Sequence, residues 1–148
     1  MVHLLYAYVF AAFCVVGSLQ WTPFERCNEE SIPTDLRIVG CHEFHCFFKE
    51  STNITGYVDF KVVSDTRTLT PRVQAILFNT PSEYSFAQKD ACNSLVKGEC
   101  PLKKDGTATY NFVLPVLYEP IFFLIEFALI DEHQNAQVCF RFRVKTLR

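Results

Sequence analysis

Short runs in which apolar and polar residues alternate recur along the 148-residue chain between turn signals, while stretches with helical period are nearly absent. Gly56 to Val63 sets Val58, Phe60 and Val62 on one face and Asp59 and Lys61 on the other. Arg72 to Asn79 groups Val73, Ala75 and Leu77, and Thr107 to Leu114 opposes Tyr110, Phe112 and Leu114 to Thr109, Asn111 and Val113. Ile121 to Ile130 is almost wholly apolar, and Glu126 fixes its phase: Phe123, Ile125, Phe127 and Leu129 share the face opposite the carboxylate. Val138, Phe140, Phe142 and Val144 form a last inward set, with Arg141 and Arg143 on the solvent side. Side chains of a strand alternate between faces, so these runs predict the inner faces of two packed sheets, an all-β sandwich. Lys104-Asp105-Gly106 and the prolines Pro71, Pro81, Pro101, Pro115 and Pro120 fall at edges or connections. Asp131-Glu132-His133 falls in a predicted hairpin turn, where it reads as an exposed acid pair.

Ahead of these strands, Leu4 to Gly17 is an uncharged apolar run of fourteen residues, leading into small residues and then a polar, Pro-containing stretch. It falls short of the roughly 20 residues that span a bilayer. The pattern predicts a cleaved secretory signal over residues 1–18 and one domain over 19–148, long enough for its own core. The expected location is therefore extracellular; onward lysosomal targeting stays open.

Export changes the meaning of the cysteines. Of seven, Cys14 lies in the signal segment, leaving Cys27, Cys41, Cys46, Cys92, Cys100 and Cys139. Six cysteines in a secreted chain predict three disulfides, although they formally permit fifteen pairings. Cys41 and Cys46 enclose four residues and Cys92 and Cys100 enclose seven, so each pair can close a local loop and leave Cys27 with Cys139. By loop entropy the shortest bridge contributes about 2 kcal/mol and the longest about 5. The same short loop, Gly40 to Phe48, holds His42 and His45, which raises a zinc site or a thiolate beside its base as rivals. Ligands adjacent in sequence rarely converge on one tetrahedral ion, and a thiolate needs a third orienting group. The disulfide loop is the better reading, with both histidines exposed and no metal site expected.

A net charge of −2 with scattered basic residues shows no nucleic-acid footprint. No G-x-S-x-G, H-E-x-x-H or P-loop pattern occurs, so no catalytic residue, enzyme activity or cofactor is expected. Asn53-Ile54-Thr55 is a glycosylation sequon, placed in a loop just before a strand. Fifteen phenylalanines are many for this length, and periodicity alone reads them as core.

The order of short motifs says more. Phe24 to Cys27, Gly40-Cys41-His42 to Cys46, Asp90-Ala91-Cys92, Cys100-Pro-Leu-Lys-Lys-Asp-Gly-Thr107, Leu114-Pro115-Val116, Ile125 to Asp131 and Val138-Cys139-Phe140 follow one another along the chain. In that order the sequence resembles the secreted ML lipid-recognition domain, and within it the Niemann-Pick type C2 sterol-transfer proteins with their arthropod relatives, including the group 2 mite allergens. The resemblance covers essentially all of 19–148. It implies an immunoglobulin-like sandwich whose sheets splay around an internal apolar cavity, and the pairing Cys27–Cys139, Cys41–Cys46 and Cys92–Cys100. It also places the family's pocket aromatic at Tyr84, the valine of its Leu-Pro-Val motif at Val116 and a nearby tyrosine at Tyr118. Phe127 stands where the family carries a deep tryptophan, and Glu83 is added beside the mouth.

The expected lipid-contacting residues are thus Val58, Phe60, Val73, Leu77, Tyr84, Tyr110, Phe112, Val116, Tyr118, Phe123, Ile125, Phe127 and Phe140. The expected ligand is a sterol, fatty acid or similar small apolar molecule, carried by a monomer, with docking to a membrane or receptor left open. A recognition protein that presents a bound lipid to a receptor is the alternative. An adhesion module with a filled core is the plainest third reading.

Overall fold

A computed structural model describes residues 20–148, so the predicted signal segment and Cys14 lie outside the described residues. In chain order the strands are β1 (Glu25–Arg26), β2 (Pro33–Ile38), β3 (His45–Lys49), β4 (Asn53–Lys61), β5 (Thr70–Leu77) and β6 (Thr80–Glu83). A single 3₁₀ turn (Ala91–Ser94) precedes β7 (Leu95–Lys97), β8 (Thr107–Pro115), β9 (Phe122–Ile130) and β10 (Ala136–Leu147). Asp90 caps the turn by accepting from the Cys92 N–H at 2.9 Å.

One sheet runs β1-β10-β9-β5-β6, with β3 parallel to β10 beside β1; the other runs β2-β4-β8-β7. The remaining pairings are antiparallel. The predicted two-sheet, all-β sandwich is therefore the fold, and the long strands keep their expected phase. Val58 and Phe60 of β4, Val73 and Ala75 of β5, Tyr110, Phe112 and Leu114 of β8, and Ile125 and Phe127 of β9 are buried. Period-two alternation turned the charged partners outward, where Arg141 reaches Glu126 at 2.7 Å and Arg143 reaches Glu25 at 2.6 Å.

Several expectations need correction. The run predicted as a strand through Asn79 stops at Leu77, because Phe78 and Asn79 take left-handed backbone (φ 47° and 63°) to turn the β5–β6 hairpin. His45 is not a loop residue but opens β3, although its side chain is exposed as expected. Asn53 is the first residue of β4 rather than part of a loop, and it too is exposed. Asp131 and Glu132 do lie at the β9–β10 turn, yet they are no exposed acid pair. Asp131 is buried and accepts from the His133 and Asn135 N–H groups, while Glu132 accepts from the Thr66 hydroxyl and the Arg67 and Thr68 N–H groups.

The three disulfides pair as the family resemblance implied: Cys27–Cys139, Cys41–Cys46 and Cys92–Cys100, with Cα separations of 5.7, 5.1 and 5.8 Å. Cys41 and Cys46 are consumed in that bond, which removes both as zinc ligands and as nucleophiles. Their bridge joins the end of β2 in one sheet to β3 in the other, stapling the sandwich along one edge. No helix among the described residues is long and apolar enough to cross a membrane.

Candidate ligand-binding seam

The inner faces bring all of the sequence-predicted contact residues together. Val58, Phe60, Val73, Tyr84, Tyr110, Phe112, Val116, Phe123, Ile125, Phe127 and Phe140 belong to one buried cluster, and Leu77 and Tyr118 pack at its margin. Sequence reasoning missed Leu36 and Ile38 of β2, Ile54 of β4, and Leu69 and Phe86 of the connections. A two-residue apolar signal inside Pro33–Ile38 is too short to read as a strand until β4 is present to pair with it.

Within the cluster the aromatic rings form a continuous seam between the sheets. Phe127 of β9 lies 5.4 Å from Phe140 of β10 and 5.1 Å from Phe112 of β8, between ring centroids. Tyr110 lies 5.8 Å from Phe127, and Phe142 lies 6.1 Å from Phe140. These are contact distances for tilted and stacked rings. Gly56, paired with Phe112 across β4 and β8, makes room for that ring, since a Cβ there would fall 2.3 Å from Phe112 Cζ. No other residue type gives the ring that space.

The expected open cavity is not what separates the sheets. Phe60, Tyr110, Phe112, Ile125, Phe127 and Phe140 have 0% of their surface accessible, so these side chains meet neither solvent nor a water-sized interior space. A void lined by rings would forfeit dispersion contacts on one side of each, and the closed packing recovers them. A groove of about 640 Å³ lies elsewhere, on the outer face of the β10-containing sheet. Glu25, His45 and Arg143 line it together with Phe78 and Phe122. An open groove with charged walls is not the enclosed apolar chamber the resemblance implied.

The two ends of the seam are finished differently. At one end Tyr84, which follows β6, donates its hydroxyl to the Pro115 carbonyl at the end of β8, crossing from one sheet to the other. Tyr118 lies 5.8 Å from Tyr84 and 5.0 Å from Phe123, and Val116 is buried beside them. Burial pushes the Tyr84 phenol up to about 12, so it is a neutral donor at any ordinary pH. This end lies on the edge away from the Cys41–Cys46 staple.

At the other end the closure is polar. Gln137 of β10 accepts from the Val63 and Ser64 N–H groups at 2.9 and 3.2 Å, and donates to Ser64 Oγ and Asp131 Oδ2, both at 2.8 Å. Thr66 and Leu102 exchange backbone hydrogen bonds of 3.0 and 2.8 Å beside it. Hydrogen bonding from the Thr66 hydroxyl, then from backbone N–H groups, holds the Glu132 carboxyl well below the usual carboxylate range. Burial alone would raise Asp131, but the Asn135 N–H, the Gln137 amide and the His133 N–H outweigh it and lower its pKa.

A two-layer sandwich with this disulfide framework, an aromatic seam and tyrosines at one end defines a recognisable class of protein. Residues 21–146 match the ML domain family, and the chain belongs to it. The chain is 28% identical over 144 residues to "NPC intracellular cholesterol transporter 2 homolog a" of Drosophila melanogaster, covering 92% of this chain and 94% of that protein. It is 22% identical to "NPC intracellular cholesterol transporter 2" of Bos taurus over 98% of each. Among solved structures, a Niemann-Pick type C2 protein from Japanese carpenter ant superposes with a TM-score of 0.75 at 21% identity, covering 84% of this chain and 99% of that one. Chicken MD-1 complexed with lipid IVa gives 0.57 at 15% identity, covering 82% and 86%. Both share the fold. The full-length curated relatives are transporters by name, and the chain is a non-enzymatic member of the family.

Proposed function

We propose that the protein is a secreted lipid-binding and transfer protein that takes a sterol, fatty acid or similar apolar molecule between its two sheets. The observation that carries this reading is the seam itself: residues from strands of both sheets converge on one apolar, aromatic layer that ends in the Tyr84, Val116, Tyr118 and Phe123 cluster. The ligand enters by parting the sheets at that end. The Cys41–Cys46 staple and the Gln137 network hold the other margins, so the motion is a hinge.

Energetics favour insertion. A guest that slips between Phe112 and Phe127 exchanges ring–ring contacts for ring–ligand contacts, so no core surface has to be wetted in the bound state. The driving term is removal of the guest's own surface from water, about 25 cal/mol per Å². Tyr84 and Tyr118 each present an apolar ring and a hydroxyl, suited to the boundary between guest and solvent. No covalent step is involved. Export through the segment 1–18 and a glycan on the exposed Asn53 belong to the same reading.

Transfer is the test that separates carriage from recognition. The protein is expected to speed movement of a fluorescent sterol between donor and acceptor vesicles without any partner. Saturable binding with no acceleration of transfer would instead favour a protein that presents its lipid to a receptor.

A further inference from the structure

The seam contains one polar group that the fold does not use. Tyr110 is wholly buried on β8 against Phe127, and its hydroxyl is the buried side-chain polar atom without a hydrogen-bond partner among the described residues. The other buried polar side chains are engaged. Thr22 donates to the Cys41 carbonyl, Thr109 to Asp59, Thr66 to Glu132, and Gln137 uses both ends of its amide.

An unsatisfied hydroxyl in an apolar interior costs stability, and a phenylalanine has the same ring shape without that cost. Phenylalanine is what the neighbouring positions 112, 127 and 140 carry. Depth gives the hydroxyl its meaning. Pro115, whose carbonyl Tyr84 holds at the mouth, lies five steps along β8 from Tyr110, which is about 17 Å along the strand. Burial also keeps the phenol neutral, pushing its pKa far above the usual tyrosine value, so it can both donate and accept.

We infer that the Tyr110 hydroxyl is a polar anchor at the inner end of the seam. It selects a ligand whose long apolar body carries a hydrogen-bonding group at its leading end as well as at its trailing one. The inference rests on the proposed lipid-binding role and deepens it. A charged or strongly hydrated head stays at the tyrosine-lined rim, which forces the tail in first and delivers a tail hydroxyl or carbonyl to Tyr110. An ω-hydroxylated fatty acid and a sterol hydroxylated on its side chain share that chemistry.

The test uses protein secreted from eukaryotic cells expressing the full chain, titrated with two lipid pairs: palmitic acid and its ω-hydroxy derivative, and cholesterol and a side-chain-hydroxylated derivative. In at least one pair the hydroxylated lipid is expected to bind about 5- to 10-fold tighter, and the pair that does so identifies the body type. Tyr110→Phe is expected to abolish or invert that ratio by weakening the hydroxylated lipid more than its plain partner, and to keep or raise the melting temperature of the lipid-free protein. Equal affinities within both pairs, or a preference that survives in Tyr110→Phe, would overturn the inference while leaving lipid binding standing. A lowered melting temperature with uniformly weaker binding of every lipid would make Tyr110 a packing residue and overturn it too. Failure of all four lipids to bind would remove the lipid-binding role itself.

Discussion

The two ends of the sandwich use different chemistry to hold the same two sheets. One end is laced by directional bonds: Gln137 and Glu132 gather backbone N–H groups of the β4–β5 connection, and Asp131 holds the Gln137 amide and the N–H groups of its own turn. The other is closed by rings in contact, with the Tyr84 hydroxyl reaching across to Pro115. A hydrogen-bond network loses its geometry when its parts separate by an ångström, and the groups it abandons stay costly if buried. Aromatic contacts tolerate sliding, and an apolar guest can replace them. The polar end therefore reads as the fixed end and the aromatic end as the one that opens.

Breaking the fixed parts should cost most. Replacing Cys27 and Cys139 together by serine removes a bridge spanning 112 residues of sequence, for which loop entropy gives about 5 kcal/mol. The same change at Cys41 and Cys46, which span 5, gives about 2. Denaturant unfolding of the two double variants checks the ranking. The Cys41–Cys46 variant carries a further expectation: without its edge staple, the seam should load and release lipid faster.

Next in size is a pair of single substitutions, one at each end. Gln137→Leu leaves the part-buried Val63 and Ser64 N–H groups and part of the buried Asp131 carboxylate without their partner, a loss of about 2 kcal/mol. Tyr84→Phe removes the hydroxyl's bond to the Pro115 carbonyl and the long one, 3.4 Å, that it accepts from the Leu117 N–H, a loss of about 1 kcal/mol at the margin, and should raise lipid exchange rates more than it lowers stability. Stopped-flow release of a fluorescent lipid from each variant distinguishes them. If Gln137→Leu sped release more than Tyr84→Phe, the assignment of fixed and opening ends would be reversed.

Acid should act gradually, and more on the polar end than on the aromatic one. Asp131 and Glu132 have lowered pKa values in the fold, so their stabilisation is complete above the unfolded carboxylate range near pH 4. It declines as pH falls through that range toward the folded values. Hydrogen exchange, corrected for intrinsic rates, should show the amides of Val63, Ser64, Arg67 and Thr68 losing protection below about pH 4. Those flanking Tyr84 and Val116 should change less.

Much of the opening end could be read from the residues. Phe123, Ile125 and Phe127 declared their face because Glu126 interrupts an apolar run, and Val58 and Phe60 because Asp59 and Lys61 flank them. Tyr84, Val116 and Tyr118 came from motif resemblance, since a loop has no periodicity to read. The fixed end stayed hidden because it joins residues far apart in sequence: Gln137 and Val63 are separated by 74 positions. Asp131 and Glu132 looked like turn acids on the surface because only the docked β4–β5 connection buries one and engages the other. The alternation also assigned Tyr110 to the inner face without revealing that its hydroxyl would find no partner there. Period gives a side, not a depth or a neighbour. For the same reason the pattern could not say whether the sheets stand apart or close on one another, and they close.

The central claim is that a closed aromatic seam admits one apolar guest. Titration of the secreted protein with a fluorescent sterol and a fluorescent fatty acid, followed by energy transfer or calorimetry, tests it most directly. Saturation at one lipid per chain by at least one of the two is the predicted result; no saturable uptake of either would contradict it and leave a filled-core scaffold.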